Sequence, residues 1–112
     1  MLKLSMDTNL YSIKSLNGGD NFEIRLNDES HSIFQAHFPG NPILPGFMFL
    51  HICESALNIA IIEIVKAKFI SFAKPYDVLT LNTSRKEDKI YAEFAREDKK
   101  ICTLIFKGER VG

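Results

Sequence analysis

The chain has 112 residues, 46% of them hydrophobic and 25% charged, with 14 basic and 14 acidic side chains that cancel to a net charge of +0. This is the length of one domain, residues 1–112, with a core of moderate size. A balanced charge argues against nucleic acid or an anionic membrane surface as a partner. Cys53 and Cys102 stand far apart and form no C-x-x-C. They read as reduced thiols of a cytoplasmic protein without a structural zinc.

The first residues, MLKLSMDTNLYS, carry no long apolar run, so no secretory leader is expected. Residues 10–16 and 21–26 read as two strands around the turn Asn17-Gly18-Gly19-Asp20. Residues 27–32 are a polar loop containing His31, and 33–36 a short strand leading to His37. From Gly46 to about Lys66 the sequence predicts one long helix of ~30 Å. Phe47, Leu50, Leu57, Ile61 and Ile64 would set one apolar face, and Phe49, Ile52, Cys53, Ala56, Ala60 and Ile62 fill much of the rest. A helix apolar nearly all round is a buried helix. Its His51, Glu54, Asn58 and Glu63 argue against a membrane span. Four further strands follow at 67–73, 78–85, 89–96 and 100–107, the last three joined by short charged turns that favour antiparallel hairpins. Leu79 and Leu81 share one face, as do Ile90, Ala92 and Phe94. The fold class is therefore α+β: one buried helix beside an antiparallel sheet of five to six strands.

The densest local information lies in residues 36–51, AHFPGNPILPGFMFLH. Pro39, Pro42 and Pro45 are three of the four prolines in the chain, and Gly40 and Gly46 sit beside two of them. Proline fixes φ and glycine permits backbone that other residues resist. A histidine at the start of so stiff a segment is held in place, and a helix start is aimed at the same spot. Helix-start punctuation alone explains Pro45 but not three prolines so close together.

This strip resembles the active-site segment of the β-hydroxyacyl-acyl-carrier-protein dehydratases, which reads roughly GHFPGxPxxPGxxxxE. His37, Phe38, Pro39, Gly40, Pro42, Pro45 and Gly46 match it in register. A weaker likeness runs over about residues 21–107, including Pro75-Tyr76-Asp77 at the family's PGD turn. The chain departs from the family at two helix positions. The acidic residue is His51 and the glutamine four residues on is Ser55. The family's N-terminal helical segment also finds no counterpart here.

The resemblance implies a single hot-dog fold, a curved sheet wrapped around the long helix, and a dehydratase of 3-hydroxyacyl thioesters on acyl carrier protein or coenzyme A. It implies His37 as the base that takes the Cα proton, suited by an imidazole's ordinary pKa near 6.5. The N–H of Gly46 would polarise the thioester carbonyl from the helix N-terminus. A cis peptide at His37-Phe38 is also implied. Phe38, Pro45, Phe47 and Leu50 would line the acyl site. His51 either replaces the acid, with Glu54 three residues on as a neighbouring anion, or merely packs while Glu54 acts or forms a subunit contact. Cys53 reads as a core residue, since no activating base is paired with it in sequence.

No metal and no organic cofactor is expected. A homodimer, or a higher oligomer built from it, is expected through the last strands and the sheet edge. An acyl-thioesterase and a catalytically inactive acyl-binding partner subunit are the alternatives.

Overall fold

The computed structural model describes residues 11–16, 18–27 and 43–111. His31, His37, Phe38, the strand expected at 33–36 and the peptide expected to be cis lie outside the described residues. Two strands come first, β1 (Tyr11–Leu16) and β2 (Asn21–Leu26). The helix α1 (Phe47–Leu57) is followed by β3 (Ile59–Phe69), β4 (Val78–Lys86), β5 (Lys89–Arg96) and β6 (Lys99–Arg110). The strands form one sheet in the order β1-β2-β4-β5-β6-β3, with every pairing antiparallel. One helix against one six-stranded antiparallel sheet is the hot-dog arrangement.

The helix is half the expected length. It stops at Leu57 because Asn58 adopts the left-handed conformation (φ 57°, ψ 51°) and returns its N–H to the carbonyl of Glu54. Asparagine accepts that conformation more readily than most residues, and this is a common way to end a helix. The next residues, IAIIEIV, are rich in β-branched side chains, which fit a pleated strand better than a helix. Residues 59–66 therefore belong to β3, and the strand expected at 67–73 begins earlier and ends at Phe69.

The buried helix face also differs from the expected one. Met48, Phe49, Ile52 and Cys53 are buried, whereas Phe47 is 55% exposed. Ile61 and Ile64, expected on the helix, lie on β3.

The core forms where that helix face meets the inward side chains of the sheet. Ile24, Leu79, Leu81, Phe94, Cys102, Leu104 and Phe106 are all essentially inaccessible to solvent. The two faces predicted by alternation on β4 and β5 are thus the core faces. Phe49 locks helix to sheet, its ring meeting Phe94 edge-on at 4.9 Å between centroids.

The last strand, β6, is not an edge. It lies between β5 and β3, which leaves β1 and β3 at the margins of the sheet. β3 is buried only at Ile59, and it exposes Ile62, Ile64, Val65 and Phe69.

Candidate active site at the helix start and rim

The stiff strip enters the described region at Ile43, Leu44 and Pro45, all buried. Leu44 N–H donates to the carbonyl of Ala73 at 2.7 Å, tying the strip to the segment after β3. The helix then starts at once, with Met48 N–H bonded to Pro45 O at 3.0 Å and Phe49 N–H to Gly46 O at 3.1 Å. Gly46 is already helical (φ −56°, ψ −37°), so its glycine identity is not a matter of left-handed backbone. It is a matter of approach. A Cβ on Gly46 would lie 3.1 Å from the Phe69 ring. Among the described residues nothing accepts a hydrogen bond from the Gly46 N–H. An orphan N–H at a helix start carries partial positive charge.

Gly46 lines a cavity of about 380 Å³, together with Pro45, Phe49, Phe69, Ile70 and Phe72 among others. Two of the expected site residues, Gly46 and Pro45, thus share one apolar concavity. Of the other three expected lining residues, Phe38 lies outside the described residues, and Phe47 and Leu50 do not line this cavity: Phe47 points largely to solvent, and Leu50 packs partly buried against the core. The sequence reading missed Phe69, Ile70 and Phe72. They follow the helix by more than ten residues, and only the return of β3 along the sheet brings them to its start.

His51 has a different setting. It lies on the helix rim, where its Nδ1 is 3.0 Å from the hydroxyl of Tyr11 on β1, and the two rings meet edge-on at 6.2 Å. The same hydroxyl is 2.8 Å from Ser55 Oγ. Tyr11 is another residue the sequence did not single out, being 40 positions from His51. A histidine and a serine four apart on one helix face were the available signal, since such a pair can share one partner.

Glu54 is turned elsewhere. Its Oε2 accepts the backbone N–H of Ile61 at 2.9 Å, joining the helix to β3.

The turn at Lys74–Asp77 braces the cavity from behind. Arg96 Nη1 donates to Phe72 O and to Asp77 Oδ2, each at 2.9 Å, and Lys74 N–H donates to the same carboxylate oxygen at 2.9 Å. Tyr76 sits at φ 71°, where the family pattern has glycine, and donates its N–H to Asn27 O at 3.2 Å.

Cys53 and Cys102 are free and buried. Burial pushes the Cys53 thiol far up, with Cys102 and Glu54 adding to the effect, and pushes Cys102 up to about 12. A thiol held protonated is a poor nucleophile, so both are core residues. Among the described residues no group of three or more His, Cys, Asp or Glu is placed to hold a metal. No helix among them is long and apolar enough to cross a membrane.

A larger cavity, of about 640 Å³, lies on the outer face of the sheet between Lys66, Asn82, Tyr91 and Thr103. It holds none of the strip residues, whereas the smaller one is lined by Gly46, whose N–H has no acceptor among the described residues.

The fold and helix start are those of a hot-dog protein, and the comparisons with known proteins give its class as the dehydratase family. Residues 14–107 match the family model described as ApeI-like: ApeI dehydratase, and the chain belongs to that family. It is 29% identical to the 3-hydroxyacyl-[acyl-carrier-protein] dehydratase FabZ of Lactobacillus helveticus over 113 aligned positions, covering 81% of this chain and 74% of that protein. It is 32% identical to the enzyme of the same name from Pediococcus pentosaceus, covering 70% of this chain and 63% of that one. Among solved structures, the dehydratase heterocomplex ApeI:P from Xenorhabdus doucetiae superposes with a TM-score of 0.64 at 21% identity, over 86% of this chain and 93% of that one. An uncharacterized protein from Erwinia carotovora subsp. atroseptica superposes with a TM-score of 0.56 at 19% identity, over 88% and 90%.

Proposed function

We propose that this protein eliminates water from 3-hydroxyacyl thioesters presented on acyl carrier protein, in fatty-acid or specialised lipid synthesis in the cytoplasm. The observation that carries this is Gly46, which lines an apolar cavity at the helix start and whose N–H finds no acceptor among the described residues. The thioester carbonyl would accept that N–H while the acyl chain lies along Phe49, Phe69 and Phe72. As His37 takes a proton from Cα, negative charge grows on the carbonyl oxygen, and a fixed donor in a dry site stabilises it more than it stabilises the ground state. The C3–O bond then breaks, and the departing oxygen takes a proton from His51. Glu54 is the weaker candidate for that acid because its Oε2 is engaged with Ile61.

Within one chain, Gly46 faces the cavity and His51 faces Tyr11, on separate parts of the helix. This favours a site shared between two subunits, His37 and Gly46 from one and His51 from the other. β3 supports a homodimer: it is a sheet edge with a row of exposed apolar side chains. A second reading is a subunit that pairs with a different hot-dog chain, suggested by the heterocomplex named for the Xenorhabdus structure.

The test is turnover of a 3-hydroxyacyl thioester by the purified protein. Enoyl thioester is expected. Free acid and thiol would make it a thioesterase, and no product until a second chain is added would make it a partner subunit.

A further inference from the structure

We infer that Tyr11 is a positioning residue for His51, and that Tyr11, His51 and Ser55 together take the place of the acid and amide that the family strip carries on the helix. The inference rests on the reading of His51 as the acid. The two positions at which the helix departs from the family strip, 51 and 55, are one helical turn apart, and the structure joins them through a single hydroxyl. Tyr11 Oη lies 3.0 Å from His51 Nδ1 and 2.8 Å from Ser55 Oγ. Tyr11 is 8% exposed, so its ring is held by packing and the hydroxyl is presented from a fixed position.

A tyrosine hydroxyl donates one hydrogen bond and accepts others, whereas a carboxylate only accepts. In the cationic state His51 Nδ1–H donates to Tyr11 Oη, and Tyr11 O–H donates to Ser55 Oγ. Nε2 is then the nitrogen that exchanges a proton with substrate. When the C3–O bond breaks, its electron pair stays on oxygen, the oxygen takes the Nε2 proton, and water leaves. His51 is left neutral with Nδ1–H still bonded to Tyr11, so neither partner has to turn during the step. Fixing the ring through its second nitrogen is how an imidazole is held in one tautomer and one orientation. Without the hydroxyl the ring loses the bond that fixes Nδ1 as the nitrogen turned away from substrate.

The experiment combines Tyr11→Phe and Ser55→Ala with His51→Ala, using the 3-hydroxybutyryl thioester of N-acetylcysteamine and ¹⁵N-histidine NMR on the same samples. Tyr11→Phe keeps the ring and its packing. It should lower kcat ~10-fold or more, below the worth of the acid itself, with KM within about 2-fold. In the His51→Ala background the same change should cost nothing further, because a residue that acts only through His51 has nothing left to position. The ring signals of His51, assigned by their loss in His51→Ala, should shift in Tyr11→Phe. Ser55→Ala should move both readouts in the same direction by less, and it serves alone should Tyr11→Phe fail to fold. Equal losses in the wild-type and His51→Ala backgrounds would mean that Tyr11 acts on stability, and unmoved ring signals would mean that it does not hold the ring. Either overturns the inference. Absence of turnover in the wild type would instead defeat the proposed function, and the NMR comparison would still decide whether Tyr11 holds His51.

Discussion

Glu54 and Ile61 are joined across the end of the helix, the carboxylate Oε2 accepting the backbone N–H at 2.9 Å. The bond falls where β3 is irregular: its pairing with β6 shifts register between Ile61 and Glu63. A ladder interrupted by a bulge leaves backbone groups to be satisfied from elsewhere, and Glu54 supplies the acceptor. Glu54→Ala should therefore destabilise the fold by about 1–2 kcal/mol, the usual cost of a partly buried N–H left unpaired. Glu54→Gln keeps an acceptor oxygen and should cost less than half as much. Chemical denaturation of the two variants checks this. Equal and negligible effects would free Glu54 for the catalytic role that the sequence left open.

His37 and His51 should each be needed for turnover. Replacing either by alanine should lower kcat by ~10²-fold or more, a typical worth for a general acid or base. If they serve one site from opposite subunits, mixing the two inactive variants should restore activity through mixed dimers, which hold one intact site. His51→Glu restores the family's carboxylate and should retain activity or raise it. Wild-type turnover in His51→Ala beside a dead His37→Ala would make His51 a packing residue.

The edge strand predicts the assembly. Ile62, Ile64 and Phe69 on β3 are 59%, 50% and 51% exposed in the single chain. Ile64→Asp should weaken dimerisation by ~10²-fold or more, because an unpaired carboxylate buried in an interface costs several kcal/mol. Analytical ultracentrifugation across a concentration series reads the change. A dimer indifferent to this substitution would place the interface elsewhere, β1 being the other margin of the sheet.

Tyr76 holds a backbone conformation that suits it poorly. At φ 71° a tyrosine carries strain of ~1–2 kcal/mol, against the ~0.5–1 kcal/mol of extra chain entropy that glycine would lose on folding. The side chain is 71% exposed, so little packing is lost with it. Tyr76→Gly should raise stability by ~0.5–1 kcal/mol, a few degrees in Tm for a chain of this size. A fall in Tm would show that the tyrosine ring contributes more than its exposure suggests.

The thiols predict sensitivity to base. Burial raises Cys102 from an ordinary 9.0 to about 12 and drives Cys53 higher still. Above pH 9 the unfolded chain loses thiol protons that the folded chain keeps, so the unfolded state binds fewer protons and stability falls as pH rises toward 12. Cys53→Ala with Cys102→Ala should flatten that slope in urea titrations at pH 8 to 10.5, although the cavities they create lower stability throughout. Neither native thiol should react with a maleimide at neutral pH.

The residue pattern by itself determined the hairpins and the stiff approach to the helix. Alternation placed Leu79, Leu81, Ile90, Ala92 and Phe94 on core faces, and short charged turns set the β4-β5-β6 meander, because period and turn chemistry are local properties. The start of the helix at Pro45-Gly46 was equally local. The end was not read, although Asn58 and the β-branched run after it were visible. An apolar run of that length suits a buried helix and a strand alike, and what decides is pairing with β6, some forty residues on. The same holds for the site. The strip marked Gly46 and His51, but the Phe69 ring against Gly46 and the Tyr11 hydroxyl on His51 come from strands remote in sequence. Only the closing of the sheet around the helix brings those partners within reach, and so the tertiary structure decides what each marked residue touches.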